Sequence, residues 1–210
     1  PQYKLINQNI SISEFKIIFY WEYFHRLLGR VIGLVMFVPL LYFTLKKTIP
    51  IKTLVNLYII FLMICLQGFV GWYMVESGLV NKTTVSHFRL SIHLTLAFII
   101  FSSIIWNLKN IICNQNIKFL IFNRETFIYQ IFLTLIFLQI IFGAFVSGLD
   151  AGKIYQSWPL MNTSYIPDDI QSFTNFNDPS LIQFYHRNIA YIIFALTLFI
   201  SYKTYKKDLY

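Results

Sequence analysis

Five long apolar runs divide this chain of 210 residues and leave little sequence for a water-soluble core. They cover about 17–45, 54–75, 90–107, 126–147 and 181–202. Each run approaches or exceeds the roughly 20 residues that an α-helix needs to cross the hydrocarbon core of a bilayer. Within lipid, a helix can pair its backbone N–H and C=O groups inside a single segment. The sequence therefore predicts an all-α integral membrane protein, a polytopic helical bundle with five transmembrane helices in this stretch.

The composition supports a membrane protein, because 57% of the residues are hydrophobic and only 12% are charged. None of the apolar runs resembles a cleaved signal peptide, which needs a basic start, a short apolar core and a small-residue cleavage site. The chain opens on Pro1 rather than Met, so we expect further sequence upstream.

The net charge of +8 is distributed as expected for membrane topology rather than for nucleic-acid binding. Lys and Arg residues concentrate in the alternate connections 46–53 and 108–125 and in the C-terminal tail. The positive-inside rule places such segments in the cytoplasm or the mitochondrial matrix. We therefore expect the N-terminus outside, the C-terminus inside, and a bacterial cytoplasmic membrane or mitochondrial inner membrane as the location. No nucleic-acid partner is needed to explain the charge.

Three histidines occupy matching positions, one to two turns inside the start of an apolar run. An ionisable ring is costly in hydrocarbon and therefore marks a candidate functional site. Neutral imidazole is a common metal ligand and a usual axial ligand of heme iron. Each histidine is followed one turn later by Gly or Ala, which leaves room for a flat macrocycle. The residues are His25, His93 and His186. The pattern predicts buried heme in the outer half of the membrane, although helix packing through small and polar residues is the simpler alternative.

Arginines lie close to the same three histidines: Arg26, Arg89 and Arg187. Guanidinium groups suit carboxylates, so heme propionates are natural partners. The alternative is that these side chains extend to lipid phosphates, as arginines near helix ends often do. The sequence leaves both interpretations open.

Glu22 is a carboxylate inside an apolar run, where it must pair, become protonated or take part in chemistry. Its candidate partners are His25, Arg26 and Arg30, which lie within about two helical turns. The matching place in the second half of the chain holds Gln183, which cannot ionise. This asymmetry predicts chemistry at the Glu22 site and electron transfer at the other. A fourth histidine, His87, is predicted to be solvated in an outer loop.

An internal repeat supports a duplicated architecture. Leu66-Gln67 is followed by Gly71, and Leu138-Gln139 is followed by Gly143. Internal duplication recurs in membrane proteins. Extending the pattern predicts eight helices, with one before residue 1 and two after residue 210 that include a further histidine. The polar connection 148–180 is predicted to be a lid on the outer face.

Taken together, these motifs resemble the heme A synthase family of the alphaproteobacterial and mitochondrial type. They run in the family's order as Glu22-x-x-His25-Arg26-x-x-Gly29-Arg30, Gln67-Gly68-x-x-Gly71-Trp72, Val85-Ser86-x-x-Arg89-Leu90-x-x-His93-Leu94, Gly143-Ala144-x-Val146-x-Gly148-Leu149, Trp158-Pro159-Leu160-Met161 and Gln183-Phe184-x-His186-Arg187. The resemblance implies two pseudo-symmetric four-helix bundles. Residues 1–125 would form most of a bundle for the substrate, heme O, and residues 126–210 would begin a bundle for a heme b cofactor.

The resemblance also implies residue roles and a reaction. His25 and His93 would face heme O, while His186 and a partner outside the chain would hold heme b. Glu22 corresponds to the carboxylate required for turnover. The reaction is the oxidation of the heme O ring methyl to a formyl group through a hydroxymethyl stage. The family's first helix and last two helices are absent, so this stretch alone is expected to be inactive.

The expected partners are heme O, membrane lipid, heme O synthase, an electron acceptor and a second copy of the chain. The main alternative is a b-type cytochrome or heme-carrying membrane subunit that performs no oxidation chemistry. A transporter with inverted repeats would explain the duplication but not the histidines with their small neighbours.

Overall fold

A computed structural model describes residues 11–78, 85–113, 123 and 126–208. Its five long helices are α1 (Ile12–Lys46), α2 (Ile51–Gly78), α3 (His87–Ile112), α4 (Phe127–Gly148) and α5 (Pro179–Asp208). All five are long and apolar enough to cross a membrane. The described residues contain no β-strand, only an isolated bridge between Met161 and Ser164. The predicted fold class, a polytopic helical membrane protein, is confirmed.

α1 and α5 begin before their apolar runs, at polar residues that cap their first turns. α1 begins after Ser11, whose hydroxyl accepts the Glu14 N–H while the Glu14 carboxylate accepts the Ser11 N–H. α5 begins at Pro179, and the preceding Asp178 carboxylate accepts the Ser180 N–H at 2.9 Å. An acidic cap followed by proline fixes the residue at which α5 begins, and therefore the position of the later residues along the helix axis.

The chain divides into two compact units. The first unit combines Pro1–Val85 with Leu96–Ile117, and the second combines Ser86–Thr95 with Lys118–Tyr210. The predicted bundle boundary at residue 125 stays a prediction, as do the eight helices of the complete protein. Of the predicted connection 108–125, residues 114–122, 124 and 125 lie outside the described residues, as do residues 79–84 between α2 and α3.

In the first unit, α1 packs against α2. The Phe37 and Phe61 rings lie 5.6 Å apart between centroids. The hydroxyl groups of Thr44 and Tyr58 lie 2.8 Å apart, which joins the same two helices by a hydrogen bond. Most side chains on these helices are exposed, as expected for surfaces that meet lipid.

In the second unit, α4 packs against α5 and a folded loop covers the start of α5. We call residues 149–178 the α4–α5 loop. It contains a short 3-10 helix, Ala151–Lys153, and places Ala151, Tyr155 and Met161 in the interior. Leu181 and Ile182 of α5, in the same unit, are fully buried as well. The loop predicted to be a polar lid therefore has an apolar underside of its own.

Candidate functional site

His186 of α5 packs against one face of α4. Gln139 Nε2 lies 3.2 Å from His186 Nε2. A Cβ atom added at Gly143 would lie only 3.3 Å from His186 Cε1, so the imidazole rests against the α4 backbone. Gln139 and Gly143 are four residues apart, which puts them on the same side of α4. The other ring nitrogen, Nδ1, is buried and has no hydrogen-bond partner among the described residues.

This environment fits an imidazole that ligates a metal. A ligating histidine needs one ring nitrogen free for the metal and usually has the other held by a polar group. Gln139 is placed to hold one nitrogen of His186, and the absence of a side chain at Gly143 lets the ring lie against α4. An imidazole with one nitrogen held and the other without a partner has the donor chemistry of an axial ligand of heme iron.

The residues that bracket His186 bind the backbone of the α4–α5 loop. Gln183 Oε1 accepts the Tyr155 N–H at 3.2 Å, and Gln183 Nε2 donates to the Tyr155 carbonyl at 2.8 Å. Arg187 donates to the carbonyl oxygens of Tyr155 at 2.6 Å and of Ser157 at 2.8 Å. Gln183 is buried, with only 5% of its surface exposed. We call these four hydrogen bonds the backbone clamp.

A second polar group, Asp169, ties the α4–α5 loop to the start of α5. Its two carboxylate oxygens accept hydrogen bonds from Ser180 Oγ and Tyr155 Oη, both at 2.6 Å. The hydrogen bonds from Ser180 and Tyr155 hold the pKa of Asp169 below its ordinary value. Burial and the hydrogen bond to Asp169 raise the pKa of Tyr155, so its phenol stays protonated and able to donate.

The first half of the chain shows a different arrangement around the matching residues. Arg26 donates a hydrogen bond to the Glu22 carboxylate, and the two side chains form an ion pair one helical turn apart on α1. About half of each side chain is exposed. His25, between them in the sequence, also lies on an exposed part of α1. The structure therefore pairs Glu22 with Arg26, one of the partners considered for it.

His93 and Arg89 both lie on the first turns of α3, where each is partly buried. This segment of α3 belongs to the second unit, whereas His25 belongs to the first. The pairing of His25 and His93 around one heme stays a prediction.

The comparison with known proteins decides the family. A profile of the family described as cytochrome oxidase assembly protein matches residues 1–209. The chain belongs to this family. The resemblance predicted from the motifs is thereby confirmed across the whole chain.

Relatives of this chain are named heme A synthase. The protein of Pelagibacter ubique is 48% identical over 99% of this chain and 62% of its own length. That of Flavobacterium psychrophilum is 42% identical over 100% of this chain and 64% of its own length. That of Rickettsia bellii is 43% identical over 96% of this chain and 62% of its own length. The chain thus spans less than two thirds of these relatives. No solved structure matches it.

The prediction for His87 in this family member is wrong. His87 is the first residue of α3 and is only 8% exposed, rather than solvated in a loop. Its ring meets Phe145 edge-on at 5.1 Å and lies against the backbone of Phe176. A Cβ atom added at Gly148 would lie 2.7 Å from His87 Cβ, so α4 and the start of α3 meet there without room for a side chain. The surrounding aromatic residues exclude water from this ring.

The contact between Gln139 and His186 is not predicted by the sequence patterns. Gln139 belongs to the repeat with Gln67, and in the structure it is the polar partner of His186. The repeat itself carried the signal, since a Gln and a Gly one turn apart recur on a helix beside each of two histidine-bearing helices. A polar side chain at helical spacing from a glycine, inside an apolar run, marks a face that meets a polar group on a neighbouring helix.

Proposed function

We propose that this chain is the larger part of a heme A synthase. This membrane-bound oxidoreductase oxidises the ring methyl of heme O to a formyl group and so produces heme A for cytochrome oxidase. The proposal concerns the complete protein, because the chain covers 60 to 64% of the length of the relatives that carry this name. Converting a methyl into a formyl group removes electrons and adds an oxygen atom. The complete protein therefore needs an electron acceptor and a source of oxygen.

The observation that carries the proposal is the surroundings of His186. A histidine within a membrane-spanning helix is expensive unless it has a partner or a ligand. Gln139 engages one of its nitrogens and no described group engages the other. Family similarity supports heme as the group that completes this site.

The remaining roles follow from chemistry at matching positions. We assign His186 and a histidine outside this chain to heme b, and His25 and His93 to heme O. When bound, heme b would supply one-electron transfer. Arg26, Arg89 and Arg187 would neutralise propionates. Arg187 donates hydrogen bonds to two loop carbonyls. A guanidinium has five N–H groups, so further donors remain for a carboxylate.

Glu22 is the residue we assign to the oxidation itself. Oxidising a methyl group releases protons, and a carboxylate beside the reacting group can accept one. The ion pair with Arg26 holds the carboxylate at a defined place on α1. In the proposed topology this end of α1 lies in the outer half of the membrane, with the N-terminus outside.

A b-type cytochrome or heme-carrying subunit is the second candidate function. It accounts for His186 and the arginines, because both functions bind heme through imidazole. It gives no role to a membrane carboxylate at Glu22, and the relatives' names favour the synthase.

The test is the conversion of heme O to heme A by the complete protein carrying Glu22→Gln. The substitution keeps the size of the side chain and removes its charge, so we expect heme b to be retained while heme A formation falls at least tenfold. A tenfold loss corresponds to about 1.4 kcal/mol at the barrier. Heme extracted from membranes and separated by chromatography gives both quantities. Full heme A synthesis by this variant would refute a catalytic carboxylate, and a wild-type protein that holds heme b but never converts heme O would favour the cytochrome.

A further inference from the structure

The backbone clamp binds one short stretch of loop by its peptide groups rather than by its side chains. Gln183 accepts a hydrogen bond from the Tyr155 N–H and donates one to the Tyr155 carbonyl. Arg187 donates hydrogen bonds to the carbonyls of Tyr155 and Ser157. Tyr155 itself is 6% exposed. Buried peptide groups need partners, and here the partners come from α5.

Only an amide can make the central pair of these hydrogen bonds. The Gln183 amide accepts through oxygen and donates through nitrogen, which matches one residue's N–H and carbonyl. An ionised carboxylate has acceptors alone, so it would keep the bond from the Tyr155 N–H and face the Tyr155 carbonyl with like partial charge. The need to donate to a carbonyl explains why position 183 holds Gln where the first half of the chain holds Glu22.

The clamp lies directly beside His186 on α5. Gln183 is three residues before His186, one turn along the helix, and Arg187 is the next residue after it. At the same turn, Gln139 and Gly143 of α4 contact the imidazole. The turn of α5 that carries His186 is thus in contact with both α4 and the loop backbone.

We propose that Gln183 is a positioning residue for His186. It acts by binding the backbone of Tyr155, which holds the α4–α5 loop against this turn of α5. Together with Arg187 it sets where the imidazole rests on Gly143, and therefore how the ring is presented to heme. The inference rests on the proposed function in one respect, the assignment of His186 to heme b. The clamp itself is independent of any bound group.

The test compares Gln183→Glu with the wild-type complete protein, using one measurement that depends on heme and one that does not. Lys153 lies two residues before the clamped Tyr155, so trypsin cleavage after Lys153 reports whether the loop backbone has been released. Cleavage is followed in detergent-solubilised protein as the appearance of a fragment beginning at Ile154. The low-spin heme b signal in electron paramagnetic resonance reports the orientation of the axial imidazole.

We expect Gln183→Glu to raise the cleavage rate at least tenfold and to shift the heme b signal while leaving the amount of heme b per protein unchanged. Gln156→Glu is the matched control, since it makes the same change on an exposed side chain within the clamped stretch. It should alter neither measurement. Gln183→Met, which removes the hydrogen bonds without adding charge, should act in the same direction and provides the result if the charged variant does not accumulate.

Faster cleavage with an unshifted heme b signal would overturn the positioning role and leave a clamp that serves the loop alone. Unchanged cleavage in both Gln183 variants would overturn the clamp. A wild-type protein without heme b would contradict the proposed function instead, and this is seen before any variant is compared.

Discussion

The segments Glu22–Arg26 on α1 and Gln183–Arg187 on α5 have the same spacing but opposite surroundings. In the first, the side chains at the two ends bind each other across one helical turn, and both remain about half exposed. In the second, the corresponding side chains, Gln183 and Arg187, both bind the backbone of the α4–α5 loop. One pattern of residues therefore makes a surface ion pair in one unit and a buried clamp in the other.

The difference lies in the partner that each segment meets. A charged pair on a helix surface satisfies itself and leaves a carboxylate available for proton transfer. A clamp on peptide groups requires a neutral amide, which has no ionisable proton to exchange. The replacement of Glu by Gln between the halves thus follows from the loop, and it also makes the two sites chemically unequal.

Replacing the histidines should break the comparison with the largest effect. In the complete protein, His186→Leu should remove the low-spin heme b signal, because a bis-histidine site loses an axial ligand. His25→Leu should keep most of that signal and impair the handling of heme O. The measurement is the reduced-minus-oxidised spectrum per mole of protein, alongside the heme A content of the membranes.

The contrast between the two variants is the informative quantity. Equal loss of heme b in both would mean that the two halves are not specialised. An unchanged spectrum and an unchanged product in His25→Leu, His93→Leu and His186→Leu would remove the histidine assignments altogether.

The sequence predicted the helices and the candidate histidines because both depend on local composition. Five runs of apolar residues define five spans wherever the chain meets lipid, and an ionisable ring within such a run stands out by its cost. The helix ends were less predictable, since α5 starts two residues before its apolar run, at a proline that follows the capping Asp178.

The contacts that distinguish the site around His186 were not predictable from local sequence patterns. Gln183 bonds to a residue 28 positions away, and Gln139 to one 47 positions away. Such pairs depend on how a long loop and two helices pack. The same holds for His87, whose position beside Ser86 suggested an outer loop although Phe145 and Phe176 lie against it in the structure.

Adding a methyl group at Gly143 should give a smaller effect that sharpens the comparison. The new Cβ would lie 3.3 Å from His186 Cε1, so the ring must shift by a few tenths of an ångström. We expect Gly143→Ala to retain heme b with a shifted spectrum. The stability change should be small, because alanine favours a helix by up to about 1 kcal/mol over glycine and offsets part of the contact.

Gly152→Ala is the control for this experiment. A Cβ there would lie 3.6 Å from Val146 Cγ1, an ordinary contact, in the loop of the same unit. Its heme b spectrum should match that of the wild type. A spectral shift in the Gly152 variant but not in the Gly143 variant would contradict the placement of His186 against α4.

The smallest expected effect concerns Asp169, which holds the α4–α5 loop on the second site and has a lowered pKa. A carboxyl whose pKa is lowered on folding stabilises the folded state at pH values above its unfolded pKa of about 3.9. That contribution is lost as the pH falls through the folded pKa. Because the side chain is exposed, solvent screening keeps the effect modest.

Thermal unfolding of the solubilised protein should therefore show a melting temperature that decreases from neutral to acidic pH, and this decrease should be smaller in Asp169→Asn. Asp168→Asn, which alters the neighbouring carboxylate and leaves the bonds from Ser180 and Tyr155 intact, should retain the wild-type pH dependence. If the two variants respond alike, the stabilisation does not come from the hydrogen bonds that join this loop to α5, and the loop is held by the backbone clamp and its apolar underside alone.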